Sequence, residues 1–342
     1  MSANPPTPNE EKAQHYIPKF YLKGFTDKQG KLWVCEKFKS IRESKPKSEA
    51  HRPDYYTHAE EGLRDETAED TLEEIESRAA PIMRKMANPE FAPSPEQMGH
   101  VYLFVAFMFA RVPSWREYLD KLLSQHVREE QLNTAKDKEK FYKVCFDAEQ
   151  DAGKPLGMDY EEMRQYVLAG DYEIVQGSTA FNLGSMFQSA LNVAQELQKF
   201  GYEVLYSPVG EFFVTSDSPV FTVQPDGAGQ ASFGMGFGRE GVEVYFALNK
   251  RACLKLKKGI EPAAVGVTDR GVMQINRGTM MNATRFLYSS QGLRTVSRLF
   301  DQWGCRIEPG KNAFMASPQE PVQPRKSLLR MLTESQEGRS NT

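Results

Sequence analysis

Cysteine is scarce and poorly placed for cross-linking. Cys35, Cys145, Cys253 and Cys305 are the only four in 342 residues, and no two of them form a CxxC pair. That spacing excludes a zinc ribbon, and a disulfide framework is not expected in so long a chain, so all four read as buried thiols. Long apolar runs are missing as well: the longest, residues 101–110, is about half of what a bilayer crossing requires. Neither sign of charge dominates, with 43 Lys and Arg against 46 Asp and Glu, so no global attraction to nucleic acid or to an anionic membrane is built in. The opening MSANPPTPNEEK is polar where a secretory leader is basic and then apolar. These absences lead to the expectation of a cytoplasmic protein with no membrane partner.

Familiar catalytic signatures are absent too. There is no GxxxxGK[ST], no HExxH and no GxSxG. Gly236, Gly238 and Gly241 spell GxGxxG, but a dinucleotide fingerprint follows a strand and opens a helix, whose N-terminus holds the pyrophosphate. Here the glycines lead into the strand pattern VEVYFALN, which reads as a hairpin loop.

What remains is ordinary globular composition, 40% hydrophobic and 26% charged, in a chain long enough to bury about three quarters of its unfolded surface. A turn at DKQG precedes an alternating strand at residues 31–36, and a turn-rich stretch carrying His51 and His58, read as solvated loop histidines, leads to a helix over 67–86. Ala68, Leu72, Ile75, Ala79, Ile82 and Met86 give that helix one apolar stripe, with Glu69 and Glu76 on its flank. A second helix is expected to open after SPEQ, near Met98. Its run VYLFVAFMFA has no polar face, so it is a central helix, and Pro113 must interrupt it. Residues 117–149 read as a charged helical arm, followed by a short helix at 159–169 and an amphipathic one ending near Gly201. EVLYSPV, EFFVTSD, SPVFTVQ, VEVYFALN and ACLKLKK read as strands of one antiparallel sheet. A helix at 270–282, a strand at 285–289 and a last helix at 293–303 follow. The pattern predicts an α+β fold, a helical N-terminal half packed on a mainly antiparallel sheet from the C-terminal half. It is expected to be one domain over residues 13–308 with a helical insertion near 117–157, and with flexible tails at 1–12 and 309–342.

Polar groups stand out where the surrounding pattern is apolar. His15 opens HYIPKFYLKGF, where Phe20, Leu22 and Phe25 pin the segment to the core. Asp217 lies between two apolar strand halves in FFVTSDSPVF, and an Asx turn there is the structural alternative to a site. Arg111 ends the all-apolar helix, where a guanidinium must find a carboxylate or a bound anion; Glu76 and Asp217 are the best partners.

These blocks, with INRGTMMNATRFLYSS after them, resemble the domain-of-unknown-function family 4238 over most of residues 14–290. The resemblance carries the family's recurrent positions onto His15 and Pro18, Arg111 and Pro113, Ser216, Asp217 and Pro219, and Asn276. One departure is Tyr202, where the family pattern has Trp. The resemblance implies a single polar cluster and names no reaction. Two functions fit such a cluster. In the first, His15, Asp217, Arg111 and Asn276 form the site of a phosphate-ester hydrolase, a nuclease or nucleotide hydrolase. Asp217 and Glu76 would hold a divalent cation such as Mg or Mn, His15 would be base or ligand, and Arg111 the phosphate clamp. Lys250, Arg251, Lys255, Lys257 and Lys258 would supply a local basic groove for nucleic acid or a nucleotide. In the second, the same residues form a structural polar network or a small-anion pocket in a non-catalytic module, with the charged arm as partner surface. Closure discriminates them: a catalytic pair faces an open cleft, whereas a structural network is sealed and satisfied.

Overall fold

The computed structural model describes residues 13–291, apart from 38, 40, 61–62, 66, 171, 173–178, 226–230 and 234–235. The last helix expected, at 293–303, Cys305 and both tails lie outside the described residues. The fold is α+β, with helices mostly in the N-terminal half and antiparallel-dominated sheets in the C-terminal half. Among the described residues no helix is long and apolar enough to cross a membrane.

The chain divides into two compact units, one of residues 113–182 and one of everything before and after. The first part of the larger unit is a short strand β1 (Ala13–His15) followed by a helix α1 (Lys19–Lys23). The aromatic anchors of the opening block reach the core as expected. Tyr21 stacks on Phe246 at 5.0 Å, and its hydroxyl donates to the Ala247 carbonyl at 2.8 Å. Next come β2 (Leu32–Glu36), β3 (Arg42–Ser44), β4 (His51–Pro53), β5 (His58–Glu60) and β6 (Leu63–Asp65). The turn-rich reading of this stretch is corrected here, and His51 and His58 belong to strands. The strands escape notice because each has three residues and too little alternation to register.

Helix α2 (Thr67–Lys85) buries the expected stripe, with Leu72, Ala79 and Ile82 inward and Glu73 and Glu74 exposed. Helix α3 (Pro95–Ala110) starts three residues before the expected Met98. SPEQ is itself the start signal: Ser94 Oγ accepts from the Gln97 amide, Gln97 Oε1 accepts from the Ser94 amide, and Pro95 fills the first helical position. Its far end is set by Pro113, which lacks an N–H and disfavours a helical Val112; Arg111 becomes the C-cap.

Beyond α7 (Thr179–Leu197) the strands are β7 (Gly201–Tyr206), β8 (Thr215–Ser216), β9 (Val220–Pro225), β10 (Ala231–Phe233), β11 (Glu243–Asn249), β12 (Ala252–Lys257) and β13 (Ala263–Gly266). Helix α8 (Asp269–Asn282) and β14 (Phe286–Ser289) close the unit. The single antiparallel sheet of the sequence reading is corrected in two ways. EFFVTSD contributes only the two residues of β8, which joins a four-stranded sheet β3-β2-β14-β8, while β10-β9-β11-β12-β7-β13 form a six-stranded one. In addition, β13 runs parallel to β7. Gly278 lets α8 settle on the six-stranded sheet, since a Cβ there would lie 2.4 Å from the Phe221 ring.

The smaller unit contains α4 (Pro113–Lys136), α5 (Lys138–Ala152) and α6 (Tyr160–Ala169). The expected arm is thus two helices, parted where Asp137 caps the second by accepting from the Lys140 amide. Ala135, Phe141 and Cys145 make a small core, covered by Tyr142, Tyr160 and Met163. The insertion expected near 117–157 falls inside this unit, which also takes in α6.

Candidate functional site

Asp217 is the most heavily engaged of the five polar residues singled out by sequence. It is buried, and its carboxylate accepts three main-chain N–H groups: Thr284 at 2.9 Å on Oδ1, and Arg285 at 2.7 Å and Phe286 at 3.1 Å on Oδ2. Its own amide donates to the Phe286 carbonyl at 3.1 Å. Burial pushes its pKa up, and the three amides oppose that shift by stabilising the charged form. This carboxylate opens β14.

Asn276 does a similar task one helical face away. Its Oδ1 accepts from the Val214 amide at 2.9 Å and its Nδ2 donates to the Phe212 carbonyl at 2.8 Å. Asn282 adds bonds from its Nδ2 to the carbonyls of Ser218 and Val220. Together the three side chains lace the 212–220 segment to α8 and the start of β14. The Asx turn offered by the TSDSPV sequence is replaced by a long-range clasp.

Arg111 and Glu76 form a separate site. Arg111 is 1% exposed, and its Nη1 donates to Glu76 Oε1 at 2.7 Å. Its Nη2 meets only the Met108 thioether, a weak acceptor, at 2.8 Å. Its Nε is buried and makes no hydrogen bond. The guanidinium also lies over the Phe104 ring, with Cζ 5.7 Å from the centroid.

His15 stands at the end of β1. Its Nδ1 is buried and makes no hydrogen bond, while the ring as a whole is half-buried and lies edge-on to His51 at 5.2 Å. Burial first, then the charges of Lys19 and His51, lower its pKa to about 4; the Glu49 backbone carbonyl acts the other way, and the Arg111 charge lowers it least. The imidazole is therefore neutral at pH 7. Tyr16 directly follows β1, and burial first and then the Asp217 charge raise its hydroxyl pKa. Asp217 is engaged by the amides of residues 284–286 and His15 Nδ1 makes no hydrogen bond, so none runs from that nitrogen to Asp217.

Asp217 and Glu76, the expected cation ligands, are each engaged by protein groups. The three amides hold one carboxylate and Arg111 holds the other. Among the described residues no group of three His, Cys, Asp or Glu side chains is arranged to hold a metal ion. Each of the five cations of the expected basic groove has a protein partner. Lys250 donates to the Thr26 carbonyl, Arg251 to those of Ser207, Pro208 and Glu211, Lys255 pairs with Glu203, Lys257 with Glu243 and Lys258 with Glu196.

Sequence reasoning overlooked Gln14, which is 1% exposed. Its Nε2 donates to Thr57 Oγ1 and to Glu69 Oε2, and its Oε1 accepts from the Tyr56 amide. It fixes β1 against α2 and so sets the position of His15. The available signal was Glu69 on the flank of the α2 stripe, already marked as able to serve a core-facing polar group. Met108 was overlooked because its place in an apolar helix masks its contact with the guanidinium.

Comparison with known proteins gives one match. The family model described as "Protein of unknown function (DUF4238)" matches residues 13–292. No curated protein and no solved structure matches the chain.

Proposed function

Because the chain belongs to the DUF4238 family, whose description names no activity, we propose a function from the site itself: a binding module for a small oxyanion held by Arg111. The observation that carries this reading is the incomplete pairing of Arg111. A guanidinium offers five N–H donors, and one removed from water costs several kcal/mol unless those donors are met. Glu76 meets one end of Arg111, a sulfur meets Nη2 weakly, and Nε has no acceptor. The Nε–Nη2 edge is the fork that takes two oxygens of a carboxylate or phosphate side by side. Replacing the thioether by a charged oxygen exchanges a weak hydrogen bond for two charge-assisted ones.

Titration calorimetry of the full chain with inorganic phosphate, sulfate and acetate tests this. At least one should bind saturably to the wild type, and Arg111→Lys, which keeps the charge but loses the fork, should weaken it at least tenfold. Absence of binding by all three to folded protein rejects the reading.

A second reading is the phosphate-ester hydrolase, a nuclease or nucleotide hydrolase, with His15 as base. Its support is the neutral imidazole with Nδ1 unengaged. Assays with p-nitrophenyl phosphate and a bis-ester, with and without Mg or Mn, examine it. Turnover lost in His15→Asn supports this reading, and none in any condition removes it.

A further inference from the structure

His15 and His51 stand directly opposite one another in the antiparallel pairing of β1 with β4, and their ring centres lie 5.2 Å apart. We propose that this cross-strand imidazole pair is a binding site for a nitrogen-seeking divalent metal ion: zinc, nickel or copper. The site is independent of the anion reading at Arg111.

The spacing is the one such an ion requires. Two imidazoles on a tetrahedral zinc, each nitrogen about 2.0–2.1 Å from the metal and about 1.1 Å from its own ring centre, have centres about 5 Å apart. The 61° between the ring planes is no obstacle, because each ring can turn about its bond to the metal. The approach is built by the backbone. Opposed residues of an antiparallel pair carry their Cβ atoms on one face, about 4.5–5.5 Å apart. The Tyr16 amide donates to the Ala50 carbonyl at 3.0 Å and ties the two strands together beside the pair. On the other side, Gln14 holds β1 through Thr57, Glu69 and the Tyr56 amide. His15 is thereby set in place, while His51 is exposed and can turn to complete the chelate.

The company these rings keep fixes the class of ion. Nδ1 of His15 makes no hydrogen bond, and burial keeps the imidazole neutral at pH 7, the form in which it ligates. The Glu49 backbone carbonyl acts on the same ring as an acceptor, the kind of partner that orients the second nitrogen of a ligating imidazole. The nearby carboxylates are engaged elsewhere. Glu49 accepts both Nη atoms of Arg42 and the Ser44 hydroxyl, and Glu69 accepts from Gln14. Among the described residues no third His, Cys, Asp or Glu completes the set, so water fills the remaining positions. Two nitrogens without an oxygen suit zinc, nickel and copper and offer little to magnesium or calcium. Lys19 repels a cation here, but it is exposed and solvent screens it.

Calorimetric titration of the tag-free full chain at pH 7 with zinc, nickel, copper and magnesium chlorides tests the pair. The expected result is saturable binding of the first three at one ion per chain, with magnesium bound at least tenfold more weakly. His51→Asn and His15→Asn should each weaken zinc at least tenfold, and the double variant should lose little more. Copper-loaded wild type should show electron-spin coupling to two nitrogens, reduced to one in His51→Asn. His126, which lies 3.5 Å from Glu130 on α4, is the control, and His126→Asn should leave zinc affinity unchanged. Absence of zinc, nickel and copper binding to protein shown folded by circular dichroism overturns the proposal and leaves the two rings as an aromatic contact. Binding that survives His51→Asn, or that is lost in His126→Asn, overturns it as well. If His15→Asn does not fold, His51→Asn decides alone, since His51 is exposed.

Discussion

The carboxylate of Asp217 accepts the main-chain amide of Arg285, 68 residues further along the chain, at 2.7 Å. Thr284 and Phe286 complete the same clasp. An oxygen pair that accepts three N–H groups within one strand start has little capacity left for catalysis, and its burial makes it expensive to disturb. The Ser-Asp-x-Pro turn and the Asn-rich α8 thus belong together as a construction joint between the two sheets.

The first prediction concerns that joint. Asp217→Ala strands three donors, each costing about 1–3 kcal/mol when left unmet in the interior. Allowing for relaxation and water entry, a loss of about 3–4 kcal/mol is expected, read as a fall in the urea midpoint. Asp217→Asn should also destabilise, because its amide NH₂ would face donors. An Asp217→Ala protein of wild-type stability contradicts the joint.

Arg111 and Glu76 supply the second prediction. Removing one partner of a buried pair costs about 3–5 kcal/mol because the other charge is left without compensation. The Glu76 side chain is 23% exposed, so its loss should fall at or below the lower end of that range. Arg111→Met combined with Glu76→Gln should recover much of the single-variant loss, since Met suits the surrounding Phe104 and Met108. Denaturant unfolding of the two single variants and the double variant gives the coupling. Strictly additive losses would show that the pair is not coupled.

Much of this was legible before any coordinates. Periodicity gave the stripe of α2, the all-buried run of α3 and most of the strands of the six-stranded sheet, because each signal lies within a dozen residues. The partner of Arg111 was legible too, since a cation at the end of an apolar helix has few ways to be satisfied and Glu76 was placed to meet it. The clasp made by Asp217 was not legible for a physical reason. Its partners are backbone amides at 284–286, and a backbone N–H leaves no mark on the residue type that carries it. The surroundings of His15 were hidden as well, since they depend on the pairing of β1 with β4, which sets His15 opposite His51 across 36 residues.

The third prediction follows from the sign of the His15 shift. The unfolded chain takes a proton on this imidazole near 6.5, the folded chain only near about 4. Between those values the unfolded state binds more protons, so stability rises with pH through the window and is fully present above it. Acidification from pH 6.5 toward 4 should therefore destabilise the wild type. The full shift overstates the cost for a ring in partial contact with solvent, and a loss on the order of 1–2 kcal/mol is expected after that discount. Asp217 works in the opposite sense. Its folded pKa is raised, so its contribution is present below the unfolded value near 3.8 and declines as pH climbs through the folded value. The two are separated by substitution: urea unfolding at pH 4, 5, 6 and 7 should show a shallower acid slope in His15→Asn than in the wild type. Identical slopes would move the titrating group elsewhere and remove His15 from the cationic site.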